Sequence, residues 1–276
     1  MRKKAPAKPT PATPPRTPPS TPPSLPTPSP PRTPLSPPRP SRNRRAPPPP
    51  PYLPNPDYYL LVLQWPSSFC KNKEGKGSCK NREKKRTKVF DIPLHFTVHG
   101  FWPKMLGGED PTLPSGVDPR KFEMSQIPPK DFITLKENWI DLTSTDIDPY
   151  VFWHYQWDKH GCLSDMSELD YFHNTASLAD KIITLLKRKN GTLVRYSFTF
   201  FTNNSWIQIS ALEKLLREAG IAAPQFLCNE RYVQNKLEKQ LWEMRFNWTN
   251  GQWQPNSDDS DDSRCPEWVF LPGNGI

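Results

Sequence analysis

The chain has 276 residues, 37 of them proline, and a formal net charge of +9 at pH 7. The charge is not shared evenly: residues 1–56 hold 24 of the prolines, ten of the 37 Lys and Arg and no acid, leaving 27 basic against 28 acidic residues beyond. The basic balance therefore gives no reason to expect a polyanion partner for the C-terminal part, whose roughly 220 residues can bury a core as one domain.

Residues 1–56, from MRKKAPAKPT to PPPPPYLPNP, offer almost no apolar side chains to offset backbone entropy, and their prolines favour polyproline II. The composition predicts a disordered basic tail ahead of a domain at 57–276. Such a tail is also the kind of ligand that SH3- or WW-like domains take, or a wall-protein-like segment. No secretory signal is expected, because the basic start is not followed by an apolar run of about 7–15 residues.

YYLLVLQWP (58–66) predicts a buried strand stopped by proline, too short and too interior to cross a membrane. HFTVHGFWP (95–103) predicts a second strand, with Phe96 and Val98 on one face and Thr97 and His99 on the other. Gly100 in that strand is a place where backbone can approach a ligand. The Gly-, Pro- and Asp-rich stretch 107–119 predicts a long loop. KDFITLKENWI (130–140) places Phe132, Leu135 and Trp139 at helical spacing. FWHYQWDKHG (152–161), read as a helix, puts Phe152, Tyr155, Gln156, Lys159 and His160 on one face at about 100° per residue. His154 falls well round from His160, with Asp158 one turn away. SELDYFHNTASLADKIITLLKRKNG (167–191) predicts a long amphipathic helix capped by Ser167, with basic residues in its last turn and Gly191 past its end. SALEKLLREAG (210–220) predicts another helix with the same glycine stop. QLWEMRFNWT (240–249) alternates, with Trp242, Met244, Phe246 and Trp248 on one face and polar groups on the other, as in a half-buried strand. Helices between non-adjacent strands predict an α+β fold.

The five cysteines are Cys70, Cys79, Cys162, Cys228 and Cys265, and three Asn-x-Ser/Thr sequons stand at Asn190, Asn203 and Asn247. The odd count suggests two disulfides and one leftover thiol in a secreted, glycosylated chain. A Cys70–Cys79 bridge would close the basic loop KNKEGKGS, and Cys228–Cys265 would tie down the C-terminal portion. There is no CxxC pair, and histidines six apart on a helix cannot chelate one metal, so no metal or other cofactor is expected.

A lone helical histidine is more often structural than catalytic. His160 is distinguished by its company, with Lys159 adjacent and Gln156 one turn back. One imidazole cannot be general acid and general base in a single step, and His99 is the candidate second. Two imidazoles, a lysine and aromatic platforms suit phosphodiester transesterification in RNA. One imidazole takes the ribose 2′-OH proton, the other protonates the leaving 5′-oxygen, and the ammonium offsets charge on phosphorus.

FTVHGFWP and FWHYQWDKHG resemble the two active-site segments of the ribonuclease T2 family, in its plant branch with the self-incompatibility S-ribonucleases. LVLQWPSSFC resembles that family's first strand and first cysteine, and LWEMRF its late strand, so the likeness runs from about Tyr58 to Phe270 in the expected order. The resemblance implies an α+β fold with a central antiparallel sheet flanked by helices. It also implies a monomeric, secreted or vacuolar endoribonuclease acting on single-stranded RNA through 2′,3′-cyclic phosphates. It makes His160 the general base, His99 the general acid and Lys159 the phosphorane-stabilising cation. Gln156 takes the place of a usual Glu, and Tyr155 that of a phosphate-binding histidine. Trp102 and Phe152 match base-stacking positions, whose alternative reading is core packing, and Gln64 matches a base-contacting glutamine.

Two departures stand out. Cys162 follows His160 one place earlier than the family cysteine, and the loop GGEDPTLPSGVDPR lacks the partner cysteine, so the resemblance implies a free thiol at Cys162. Asn247 replaces the late-strand cysteine. Two other readings stay open: a T2 fold that binds RNA or a protein partner (such as a pollen factor) with weakened catalysis, and a Pro-rich interaction protein in which the tail is the working part.

Overall fold

The structure, a computed structural model, describes residues 55–71, 79, 92–144, 148–187, 205–256 and 264–273. The predicted tail, apart from its last two residues, lies outside them, as do Asn190, Asn203, Gly191 and the KNKEGKGS loop beyond Lys71.

Strand β1 (Tyr58–Gln64) is central because its run YYLLVLQ is apolar on both faces, and Leu61, Val62 and Leu63 have no exposed surface. It pairs antiparallel with β2 (Thr97–Lys104) on one side and β5 (Lys236–Thr249) on the other. The remaining strands are β3 (Ser205–Gln208), β4 (Gln225–Val233), β6 (Gln252–Gln254) and β7 (Trp268–Leu271). Among the described residues the sheet runs β2-β1-β5-β7-β3, with β4 and β6 also paired to β5. Its pairings are antiparallel except where β5 and β7 meet in parallel at Gln240 and Phe270.

Helices α1 (Pro66–Cys70), α2 (Pro129–Asn138), α3 (Pro149–Lys159), α4 (Glu168–Lys187) and α5 (Ile209–Glu218) complete the α+β fold. Ser167 caps α4, its hydroxyl accepting from the Asp170 N–H at 3.1 Å and donating to the Asp170 carboxylate at 2.6 Å. The buried stripe of α4 carries Tyr171, Phe172, Ala176, Ala179 and Ile183 into the core, where Trp139, Trp153 and Trp157 meet Phe172. Tyr171 donates to the Phe101 carbonyl at 2.7 Å, which fixes α4 to β2. Helix α5 stops at Gly220, whose φ of 71° suits only a residue without Cβ strain; the Ile221 N–H then reaches the Leu216 carbonyl at 3.0 Å. Cys70 is bonded to Cys79 and Cys228 to Cys265, while Cys162 is free and buried.

Two bulges change the faces that strict alternation predicts. In β2 the register slips so that Val62 faces Gly100 and Leu63 faces Val98, leaving His99 as the extra residue. Val98 and Phe101 are therefore both in the core, while His99 and Trp102 are only half-buried; Thr97, expected opposite the core, has no exposed surface. In β5 the slip against β4 leaves Trp242 extra, between Leu241 opposite Cys228 and Glu243 opposite Leu227. Leu241 takes the core side with Met244 and Phe246, and Trp242 does not join them. Glu243, on the face expected to be solvated, has no exposed surface.

Candidate active site

Helix α3 begins at Pro149 behind Asp148, whose side chain accepts from the Tyr150 N–H at 3.0 Å. Trp153 and Trp157, one turn apart, are buried and hold the helix on the core. This rotation turns Phe152, Tyr155, Gln156 and Lys159 toward a cleft of about 500 Å³, and His160, the C-terminal cap of α3, joins them there. Gln64 from the end of β1 and His99 and Trp102 from β2 line the same cleft. All eight residues read from the sequence as catalytic or substrate-contacting thus meet on one surface. His154 does not; it lies outside, 3.4 Å from Asp158 and stacked on Phe122 with ring centroids 5.4 Å apart.

Trp102 joins the two imidazoles. Its ring stacks on His160 at 5.4 Å and meets His99 edge-on at 5.2 Å. A Cβ on Gly100 would stand 1.9 Å from the Trp102 indole nitrogen, so the space expected for a ligand beside Gly100 is filled by Trp102 itself. Phe152 serves both readings considered for it, lining the cleft while meeting Trp139 edge-on at 6.2 Å. Lys159 is exposed, its ammonium 5.7 Å from the centre of the Tyr155 ring. Gln64 and Gln156 are buried, and their amide oxygens have no hydrogen-bond partner among the described residues. These walls offer hydrogen-bonding groups and one cation to an anionic guest, with apolar surface for a ring.

Burial, reinforced by the charge of Lys159, holds the His160 imidazole down at about 3, so it is neutral at pH 7 and able to accept a proton. His95, outside the cleft, is held at about 4, by burial first and then by Lys187. Both folded values lie below the ordinary 6.5, so below that pH the unfolded chain binds protons that the folded chain refuses. Stability should therefore fall as pH drops from about 6.5 toward 4. The urea midpoint at pH 7 and pH 4 measures this, and replacing both histidines by Gln should flatten the dependence. An unchanged slope in that variant would show that these two groups do not set it.

Sequence reasoning missed Glu243. It is buried beneath the cleft, one carboxylate oxygen 2.6 Å from His99 Nδ1 and the other accepting from Arg245. Its position in an alternating strand reads as surface, but the face it shares with Gln64, its partner in β1, is covered. A second cavity, of about 620 Å³, lies against Trp102, Lys104, Arg245 and Asn247. The Asn247 sequon thus sits within a paired strand on a cavity wall and not on an open loop.

The model of the Ribonuclease T2 family matches residues 56–265. The chain belongs to the ribonuclease T2 family. Over 129 residues this T2 chain is 32% identical to Ribonuclease 1 of Arabidopsis thaliana, covering 45% of this chain and 50% of that protein. Over 158 residues it is 32% identical to Ribonuclease S-2 of Nicotiana alata, covering 55% and 65%. The chain thus spans about half to two thirds of the length of these curated relatives. Its fold is similar to that of RNase NT in complex with 5′-AMP, with a TM-score of 0.56 at 21% identity over 79% of this chain and 98% of that one.

In this T2 chain the turn after His160 is held by a guanidinium. Arg120 Nη2 donates to the carbonyls of Gly161 at 3.0 Å and Ser164 at 2.7 Å, and Nη1 donates to that of Met166. The guanidinium lies 5.0 Å over the Trp157 ring, whose indole N–H returns a bond to the Arg120 carbonyl at 2.7 Å. Cys162, within this turn, points its thiol at the Asp158 carbonyl, 3.0 Å away.

Proposed function

We propose that the chain is a metal-independent endoribonuclease that cleaves single-stranded RNA by transphosphorylation. The observation that carries this reading is the convergence of His99 and His160 on one cleft, with Lys159 and Gln156 beside them and Trp102 against both rings. His160, neutral at pH 7, takes the proton of the ribose 2′-OH. The 2′-oxygen attacks phosphorus, the bond from phosphorus to the 5′-oxygen breaks, and His99 gives that oxygen a proton. The products are a 2′,3′-cyclic phosphate and a free 5′-OH. Lys159 offsets charge on the pentacoordinate phosphorus and Gln156 donates a hydrogen bond to its oxygens. A phosphodiester beside His160 counters the Lys159 charge and favours the imidazolium, restoring basicity where it is used. The nucleophile belongs to the substrate, so no metal-bound water is required. Trp102 walls both cavities, which leaves room for a base on either side of the scissile phosphate.

The two disulfides support an oxidising compartment, hence secretion or a vacuolar location. Cleavage of single-stranded RNA by the purified chain in excess EDTA tests the reading, with 2′,3′-cyclic ends scored on the products. Activity should persist undiminished. Activity lost on chelation and restored by a divalent ion would refute the metal-independent mechanism, and RNA binding without cleavage would favour a T2 fold that acts by binding.

A further inference from the structure

Glu243 has no exposed surface. A carboxylate so placed stays charged only where its partners replace water. Both oxygens have such partners: Oε1 lies 2.6 Å from His99 Nδ1, and Oε2 accepts from Arg245 Nε at 3.1 Å and Nη2 at 3.0 Å. Strands β2 and β5 flank β1, so the His99–Glu243 contact crosses the central strand. Both side chains lie off the core face: His99 is the extra residue of the β2 bulge, and Glu243 alternates with the core residue Met244 in β5.

We propose that Glu243 is a positioning residue for His99, with Arg245 holding Glu243 in place. The inference rests on the role given to His99 above. An ionised carboxylate only accepts, so His99 Nδ1 carries a hydrogen and donates it. That leaves Nε2 as the nitrogen free to meet substrate, and its proton is the one that reaches the 5′-oxygen. After the transfer the ring remains as the neutral Nδ1–H tautomer, still bonded to Glu243. The same ring, unmoved, is then set to take a proton from water when the cyclic phosphate is hydrolysed.

Long-range ¹H–¹⁵N spectra of the free protein, at a pH where the His99 ring is neutral, read the tautomer directly. Nδ1–H is expected. In Glu243→Gln the donors of Arg245 keep the amide oxygen, so the amide NH₂ faces His99 and the tautomer should switch to Nε2–H. The kcat of that variant should fall by about 10²-fold with KM within about threefold, which a merely structural role would not produce. A wild-type spectrum showing Nε2–H overturns the proposal, as does a Gln variant that keeps both Nδ1–H and full kcat. If Glu243→Gln does not fold, the wild-type spectrum still decides. The spectrum needs no RNA, so a chain that leaves RNA intact sinks the ribonuclease reading without touching the test of this contact.

Discussion

Alanine at His99 or at His160 is expected to slow RNA cleavage by on the order of 10²–10⁴-fold, while alanine at His154 costs less than about threefold. The first two remove a group that gives or takes a proton in the step that breaks the chain. The third removes only an exposed contact with Asp158 and a stack on Phe122. Lys159→Ala should fall between them, because it loses a charge opposite phosphorus but no proton transfer. The comparison needs all four purified variants on one RNA, each matched to wild type by urea midpoint. Should His154→Ala be as inactive as His160→Ala, the cleft assignment is wrong and His154 has taken the phosphate contact vacated at Tyr155.

That His160 and not His154 reaches the cleft was legible in the sequence, because residues six apart on an α-helix do not share a face and His160 keeps the company of Gln156 and Lys159. Strand β1 and helices α4 and α5 were legible for similar reasons: an unbroken apolar run, a Ser167–Asp170 cap and a glycine stop at Gly220. The misplaced faces of Phe101 and Trp242 share one physical origin. Alternation assumes a constant period of two, and a single extra residue reverses every face beyond it. The bulge at His99 did this to Phe101 in β2, and the bulge at Trp242 took that residue off the core face of β5. Glu243 kept the face alternation gives it and read as a surface residue because the pattern does not show what covers that face. Strand β4 escaped notice because CNERYV is polar, yet its pairing to β5 buries Cys228 and Arg231. The β4–β5 turn is made by Gln234 and Asn235, at φ of 49° and 64°, a far weaker written signal than the Asn250–Gly251 pair that closes β5 onto β6.

The Arg120 clamp leads to the second large effect. Arg120→Ala is expected to lower stability by ~3–5 kcal/mol and to cut cleavage as well, because the turn it holds begins at His160. The carbonyls of Gly161, Ser164 and Met166 would lose their guanidinium donor, and Trp157 would lose the cation over its ring. No side chain at 161 can fill the gap, since a Cβ there would stand 2.3 Å from the Trp157 ring. Arg120→Lys keeps the charge but cannot span three carbonyls with one ammonium, so it should recover only part of the loss. Cys162 supplies a local reading: buried in this turn, its thiol should resist alkylation in the wild type and react readily in Arg120→Ala. Urea unfolding and timed alkylation of the native protein measure the two effects separately. A stability unchanged within about 0.5 kcal/mol, together with a thiol as slow as in the wild type, would mean that the segment behind His160 is held by its own packing and that Arg120 is dispensable.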